Sequence, residues 1–238
     1  MKTHSLTKKL CLLFTLVTLG TFIVKAQSTK NVSLNSFNSV SVSAGIQLII
    51  TQSNSESARI EANSNNIDDV VLENSGGRLN VKWKKLDGFF SKNRNREAKV
   101  YLNYKNLNSV SASSGSLLKS TNVLKADRLS VDVSSGANLN LQLACNNLEV
   151  NTSSGSNAKL SGSAKNIAID SSSGSTVSAV ETNTEYAKAQ ASSGANIRVS
   201  VSKGIEASAS SGGNINYKGD AALNKKGSSR SGSVNKIG

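Results

Sequence analysis

The chain has no proline, one histidine, two cysteines and only 4% aromatic residues. Each scarcity excludes something. Disordered segments are usually proline-rich and lack ordered apolar periodicity, and this chain has a clear periodicity. The opening, MKTHSLTKKLCLLFTLVTLGTFIVKAQS, has a lysine-bearing lead, an apolar run from Leu10 to Val24 and a Val24-Lys25-Ala26 exit. This pattern predicts a signal peptide over residues 1–26, cleaved on export, with Gln27 as the mature start. The run is short for a bilayer span, which needs about 20 apolar residues. Cys11 lies near the front of the run, whereas a lipid-bearing cysteine would stand at its end.

Cleavage would remove His4 and Cys11. The expected mature chain then has no histidine for catalysis or for a metal site. It keeps Cys145 alone, so no disulfide can staple it and backbone pairing with packing must hold the fold. Removing four lysines from 28 basic residues leaves 24 against 15 acids, a charge of +9.

What the chain has in abundance is one phrase, Ser-Ser-Gly between two alternating runs. Its glycines are Gly115, Gly136, Gly155, Gly174, Gly194 and Gly212, at spacings of 21, 19, 19, 20 and 18, and Ser231-Gly232 is a weaker seventh copy. A period near 19–20 marks a solenoid. Positions seven, five and three before each glycine are small or apolar, as in Leu129/Val131/Val133 and Ile167/Ile169/Ser171, although the first copy reads Asn108/Val110/Ala112. Positions three and five after it, such as Leu139/Leu141 and Ile197/Val199, repeat the pattern. Period two on both sides of a fixed corner predicts two strands per repeat, each with one buried face. The leucine-rich-repeat spacing of similar length is absent. The expected fold is therefore all-β, a single-stranded parallel β-helix, or β-solenoid, with coils of about 19–20 residues.

At the corner, glycine supplies a positive φ and the serines are small enough to stack. Two residues after it stand Asn138, Asn157, Thr176, Asn196 and Asn214. They read either as an amide ladder or as the ordinary turn preference of asparagine. No coil is stable alone, because ordering its backbone costs about 1–2 kcal/mol per residue and its few inward side chains return about 1.5–3 kcal/mol each.

Residues 27–107 read as irregular coils of the same solenoid, and 108–238 as its regular part. FNSVSVSAGIQLIITQ places Val40, Val42 and Ala44 before Gly45, then Ile46, Leu48 and Ile50 after it. This segment, with NIDDVVLENSGGRLNVKW, KVYLNYKNLNSVSASSGS and the Ser-Ser-Gly array, resembles the bacterial family described as "putative auto-transporter adhesin, head GIN domain". Here the triplet reads Gly45-Ile46-Gln47. The resemblance implies a secreted or envelope-located parallel β-helix of the kind typical of Bacteroidota, and it supplies no set of functional residues.

Candidate chemistry is sparse. Asp132 and Asp170 share the outward position four before glycine, two coils and about 10 Å apart. Inverting glycosidases hold their carboxyls about 6.5–9.5 Å apart, so the pair is the candidate catalytic couple of a polysaccharide-active enzyme. Asn151 lies between them, no aromatic residue frames a sugar, and stacked acids commonly form a solvated face. The corners lack the carboxylates of calcium-binding solenoids, and Asp68-Asp69 is at most an isolated cation pair, so no metal and no cofactor are expected. The segment VKWKKLDGFFSKNRNREAK gathers Lys82, Lys84, Lys85, Phe89, Phe90, Lys92, Arg94 and Arg96 around Trp83. It reads either as a surface for an anionic glycan or other envelope component, or as a solvated loop. No nucleic-acid motif accompanies it. Cys145 falls on the inward parity, where an inert buried thiol is expected.

The sequence thus points to an exported, non-catalytic scaffold or binding protein of the periplasm, outer-membrane surface or extracellular space. A polysaccharide-active enzyme is the rival, and self-association through uncovered coil ends is a third reading.

Overall fold

The structure, a computed structural model, describes residues 27–84, 96–225 and 231–237. Its strands are β1 (Gln27–Ser33), β2 (Ser39–Val42), β3 (Gln47–Gln52), β4 (Ser57–Asn63), β5 (Val70–Ser75), β6 (Arg78–Trp83), β7 (Ala98–Tyr104), β8 (Ser109–Ala112) and β9 (Leu117–Ser120). There follow β10 (Leu124–Val133), β11 (Asn138–Thr152), β12 (Asn157–Ser171), β13 (Thr176–Ala191), β14 (Asn196–Ser200), β15 (Gly204–Ala209), β16 (Asn214–Lys218), β17 (Ala222–Lys225) and β18 (Ser233–Lys236). From β8 onward every pairing is parallel, and each residue faces its equivalent one coil away, as Leu139 faces Ala158 and Val150 faces Ile169. The molecule is a β-solenoid, as the repeat predicts.

The corner is tighter than glycine alone would make it. In each Ser-Ser-Gly copy the second serine is also left-handed: Ser135 has φ 53° and Gly136 φ 69°, and the same pair of positive angles recurs from Ala44-Gly45 to Ser211-Gly212. A bond such as Ser116 N–H to Ser113 O, at 3.2 Å, closes the four-residue turn. Two successive positive φ values with that closure mark a type I′ turn, usual in hairpins and here used to bend a parallel coil. The coils are stitched together at this point. The N–H of Gly45, Gly115, Gly136, Gly155, Gly174 and Gly194 each donates, at 3.0 Å, to the carbonyl of the left-handed serine one coil on.

Inside the coil, the column Leu79, Val40, Val110, Val131, Val150, Ile169, Ala189, Ala207 is shut off from solvent. Volume is traded within coils: where the strand before the corner narrows to Ala187, Ala189 and Ala191, the strand after it carries Ile197 and Val199. Close packing without voids requires such exchange. Thr152 and Ser171, also inward, join Ser175 in a buried triad of hydroxyls 2.8–3.0 Å apart, so each polar group is satisfied,.

Several details depart from the sequence reading. Asn108 is exposed and Leu107 is buried in its stead, because the chain enters β8 from outside the coil. Ala44 is exposed, being the left-handed residue of its turn. Gly232 is not a seventh corner glycine: pairing of Asn214 with Ser233 aligns it with Gly213, and Ser231 takes the corner place.

Coil order also differs from chain order. The coil of β2 and β3 lies between that of β6 and β7 and that of β8 and β9. Antiparallel strands close this end, β5 on β6, and β1 on β4 on β7. Unpaired strand edges recruit other chains, and antiparallel caps displace that edge outward.

Two glycines separate conformation from crowding. A Cβ on Gly155 would meet nothing within 4 Å, whereas one on Gly162, at the second bend, would lie 2.0 Å from the Leu143 carbonyl oxygen. Gly155→Ala is expected to cost about 1–2 kcal/mol, the left-handed penalty alone. Gly162→Ala is expected to cost about 3 kcal/mol or more, since backbone must move. Thermal denaturation of the two variants checks the ranking, and equal losses would contradict it.

Candidate binding surfaces

Stacking in register turns each outward position into a column of side chains about 4.8 Å apart. Four residues before the corner runs Ser111, Asp132, Asn151, Asp170, Gln190, Ser208. Asp132 and Asp170 therefore do share a column, two rungs apart. Asn151 fills the rung between and donates through Nδ2 to Asp132 Oδ1 at 3.2 Å and to Glu149 Oε1 at 3.4 Å. The Asn151 amide, bonded to Asp132, occupies the rung where an inverting enzyme would keep its water,.

At the far end, Lys82 pairs with Glu73 at 2.6 Å and Arg96 with Asp69 at 3.4 Å. Trp83 packs partly against the core, donates Nε1–H to the Ala44 carbonyl at 2.9 Å, and lies under the Arg96 guanidinium, 5.4 Å from its centroid. Lys84 is exposed. Lys85, Phe89, Phe90, Lys92 and Arg94 lie outside the described residues. Asp68 is held below the usual carboxylate range by its hydrogen bond to Lys30 and by that ammonium's charge, so both acids of Asp68-Asp69 answer a cation. Among the described residues no three His, Cys, Asp or Glu side chains gather as a metal site.

A surface that the sequence reading passed over lies eight residues before the corner, in the column Arg128, Asn147, Asn166, Tyr186, Gly204. Beside it the outward side chains Ser130 and Ala168 are short, and the depression they leave is a groove of about 570 Å³. Asn166 Nδ2 donates to Asn147 Oδ1 at 3.0 Å. Tyr186 is 48% exposed, the most exposed large apolar side chain among the described residues. Its ring lies against Gly204, 3.4 Å from where a Cβ would stand, with the Lys203 ammonium 5.8 Å from its centroid. Lys203 is itself anchored on Glu185 at 2.7 Å, a hydrogen bond that holds the Glu185 carboxyl below its usual range. Alignment on the glycines would have found this column one position further out than the apolar triplets. The missing signal was Tyr186, an aromatic among amides.

Residues 36–221 match the model of the family described as "putative auto-transporter adhesin, head GIN domain". The chain belongs to this family. Among solved structures, a putative adhesin from Bacteroides fragilis NCTC 9343 is similar over 90% of this chain and 98% of its own, with a TM-score of 0.78 and 21% identity. A putative adhesin from Parabacteroides merdae ATCC 43184 gives the same coverage and identity with a TM-score of 0.75. A structure described as a putative lipid binding protein, from Parabacteroides distasonis ATCC 8503, has a TM-score of 0.71 at 18% identity over 90% of this chain and 98% of its own. At such identities the likeness shows the fold alone. No match was found among curated proteins.

In this head GIN domain Cys145 is half-buried rather than enclosed, because it stands on the second bend, where the strand's inward alternation breaks. Burial, and then the charge of Asp127, push its thiol up to about 11. The thiolate is the nucleophile. At pH 8, three units below that value, about one molecule in a thousand carries it. Alkylation of Cys145 at pH 8 is therefore expected to run about 100-fold slower than for free cysteine, and to accelerate toward pH 11. Iodoacetamide labelling followed by mass spectrometry measures the rate, and labelling as fast as free cysteine would contradict the assignment.

Proposed function

We propose that this head GIN protein is an exported, non-catalytic, adhesin-like scaffold that binds extended ligands on its coil faces. The observation that carries this reading is the in-register stack. It repeats each outward chemistry at a fixed interval along a rigid face, which suits many small contacts with an extended partner. Family membership supports an adhesin-like role, and the opening residues 1–26 support export. Among the described residues no helix is long and apolar enough to cross a membrane.

Of the basic and aromatic segment, the described cations Lys82 and Lys84 lie at the end of β6 and Arg96 lies just before β7. We assign this segment a secondary contact with anionic envelope components. One structural neighbour is described as a putative lipid binding protein, which is compatible with such a contact.

The test incubates the purified chain from Gln27 with neutral and acidic polysaccharides and with isolated envelope fractions. Saturable retention with no cleavage products is expected. Turnover that disappears in Asp132→Asn would overturn the non-catalytic reading.

A further inference from the structure

We propose that the groove along Arg128, Asn147, Asn166 and Tyr186 is a binding site for a neutral glycan chain lying parallel to the coil axis. The inference rests on the reading of the protein as a binding surface and names the site and the ligand class.

Three observations converge. First, Tyr186 offers an exposed ring that is already backed by Gly204 and edged by Lys203, so little mobility is lost when a flat apolar partner covers it,. The C–H face of a pyranose is such a partner, apolar on one side and ringed by hydroxyls. Second, the Asn166-to-Asn147 hydrogen bond uses one donor and one acceptor of the pair. It leaves the Asn147 amide nitrogen and the Asn166 carbonyl oxygen to serve hydroxyls, which donate and accept alike. The two amides are also held in line by that bond, a fixed pair of polar groups beside an aromatic platform.

Third, charge selects the ligand. The chain is strongly basic, +13 overall, yet this groove sets Arg128 and Lys188 against Glu149 and Glu206. Its local balance is neutral, so an acidic polymer gains nothing here that it would not gain better elsewhere on the surface.

Geometry sets the length. Arg128 and Tyr186 are three coils apart, about 14 Å. Rungs recur at about 4.8 Å, close to the advance of one sugar unit in an extended glycan. The site therefore spans about three units, with the Tyr186 ring at one end and the Arg128 guanidinium at the other.

The experiment titrates neutral gluco- and manno-oligosaccharides of increasing length into the chain from Gln27 by calorimetry. Affinity is expected to rise with length and to level off once about three coils are spanned. Tyr186→Ala is expected to weaken binding about tenfold, whereas Tyr186→Phe, which keeps the ring, should bind as wild type does. Because Tyr186 is half-exposed, unchanged circular dichroism and melting temperature confirm that the variant is folded. Absence of binding to every neutral series, or binding indifferent to Tyr186→Ala, overturns the proposal. Retention of the chain on envelope fractions, with no neutral oligosaccharide bound, would remove this groove while leaving the scaffold reading intact, so the two failures are distinguishable.

Discussion

At its tightest bend each coil from that of Gly45 to that of Gly194 hands one hydrogen bond to the next, from the corner glycine N–H to the carbonyl of a left-handed serine. That bond forms only if both residues of the turn have positive φ, and only if the neighbouring coil presents its carbonyl at the same height. The first condition selects glycine at one place and a small, unbranched residue at the other. Ala44 shows that the hydroxyl itself is dispensable there. The second condition aligns every coil on its corner, and the in-register columns follow from it. A slip of one residue would turn every valine and leucine of a strand to solvent.

Within the Ser-Ser-Gly array the coils nonetheless differ in length, and there the difference is confined to one place. The two extra residues of the longest coil fall between β9 and β10, the bulge in β12–β13 pairing lies between Lys159 and Ser161, and the shortest coil is shortened between β14 and β15. All three lie on the second bend, opposite the corner. The corner cannot absorb length without losing its bond, while the second bend has no equivalent constraint, so variation collects there. The Arg128–Tyr186 groove runs beside that bend. A fold that fixes one margin and frees the other places its adaptable chemistry on the free margin.

This division explains what could be read beforehand. Period two, the spacing of the glycines and the parity of Val131, Val150 and Ile169 are local properties of the chain, and they carry the solenoid directly. Three features needed the third dimension. The left-handed serine is invisible because serine rarely adopts that conformation, and only the cross-coil bond rewards it. The insertion of the β2–β3 coil between later coils is invisible because the residues that pair, such as Val40 with Val110, are far apart in sequence. The groove is invisible because Arg128, Asn147, Asn166 and Tyr186 have nothing in common as residue types. Register alone makes them neighbours. The half-burial of Cys145 belongs with these, since alternation counted from Gly136 continues through a bend where the strand itself stops alternating.

The two outer faces differ in electrical character. After the corner, the column Lys119, Asn140, Lys159, Ser178, Arg198, Asn216 bears a cation on every second rung, about 10 Å apart, of which Lys159 is paired with Glu181 at 2.9 Å,. At physiological ionic strength that is beyond the screening length of about 8 Å, so the row repels itself little. Before the corner, the groove beside Tyr186 is balanced in charge and presents ring and amide. Contacts on the basic face weaken with added salt. Stacking and hydrogen bonding of the kind proposed for the neutral face are nearly indifferent to it, so a single coil sets surfaces of different salt sensitivity on opposite sides of one turn.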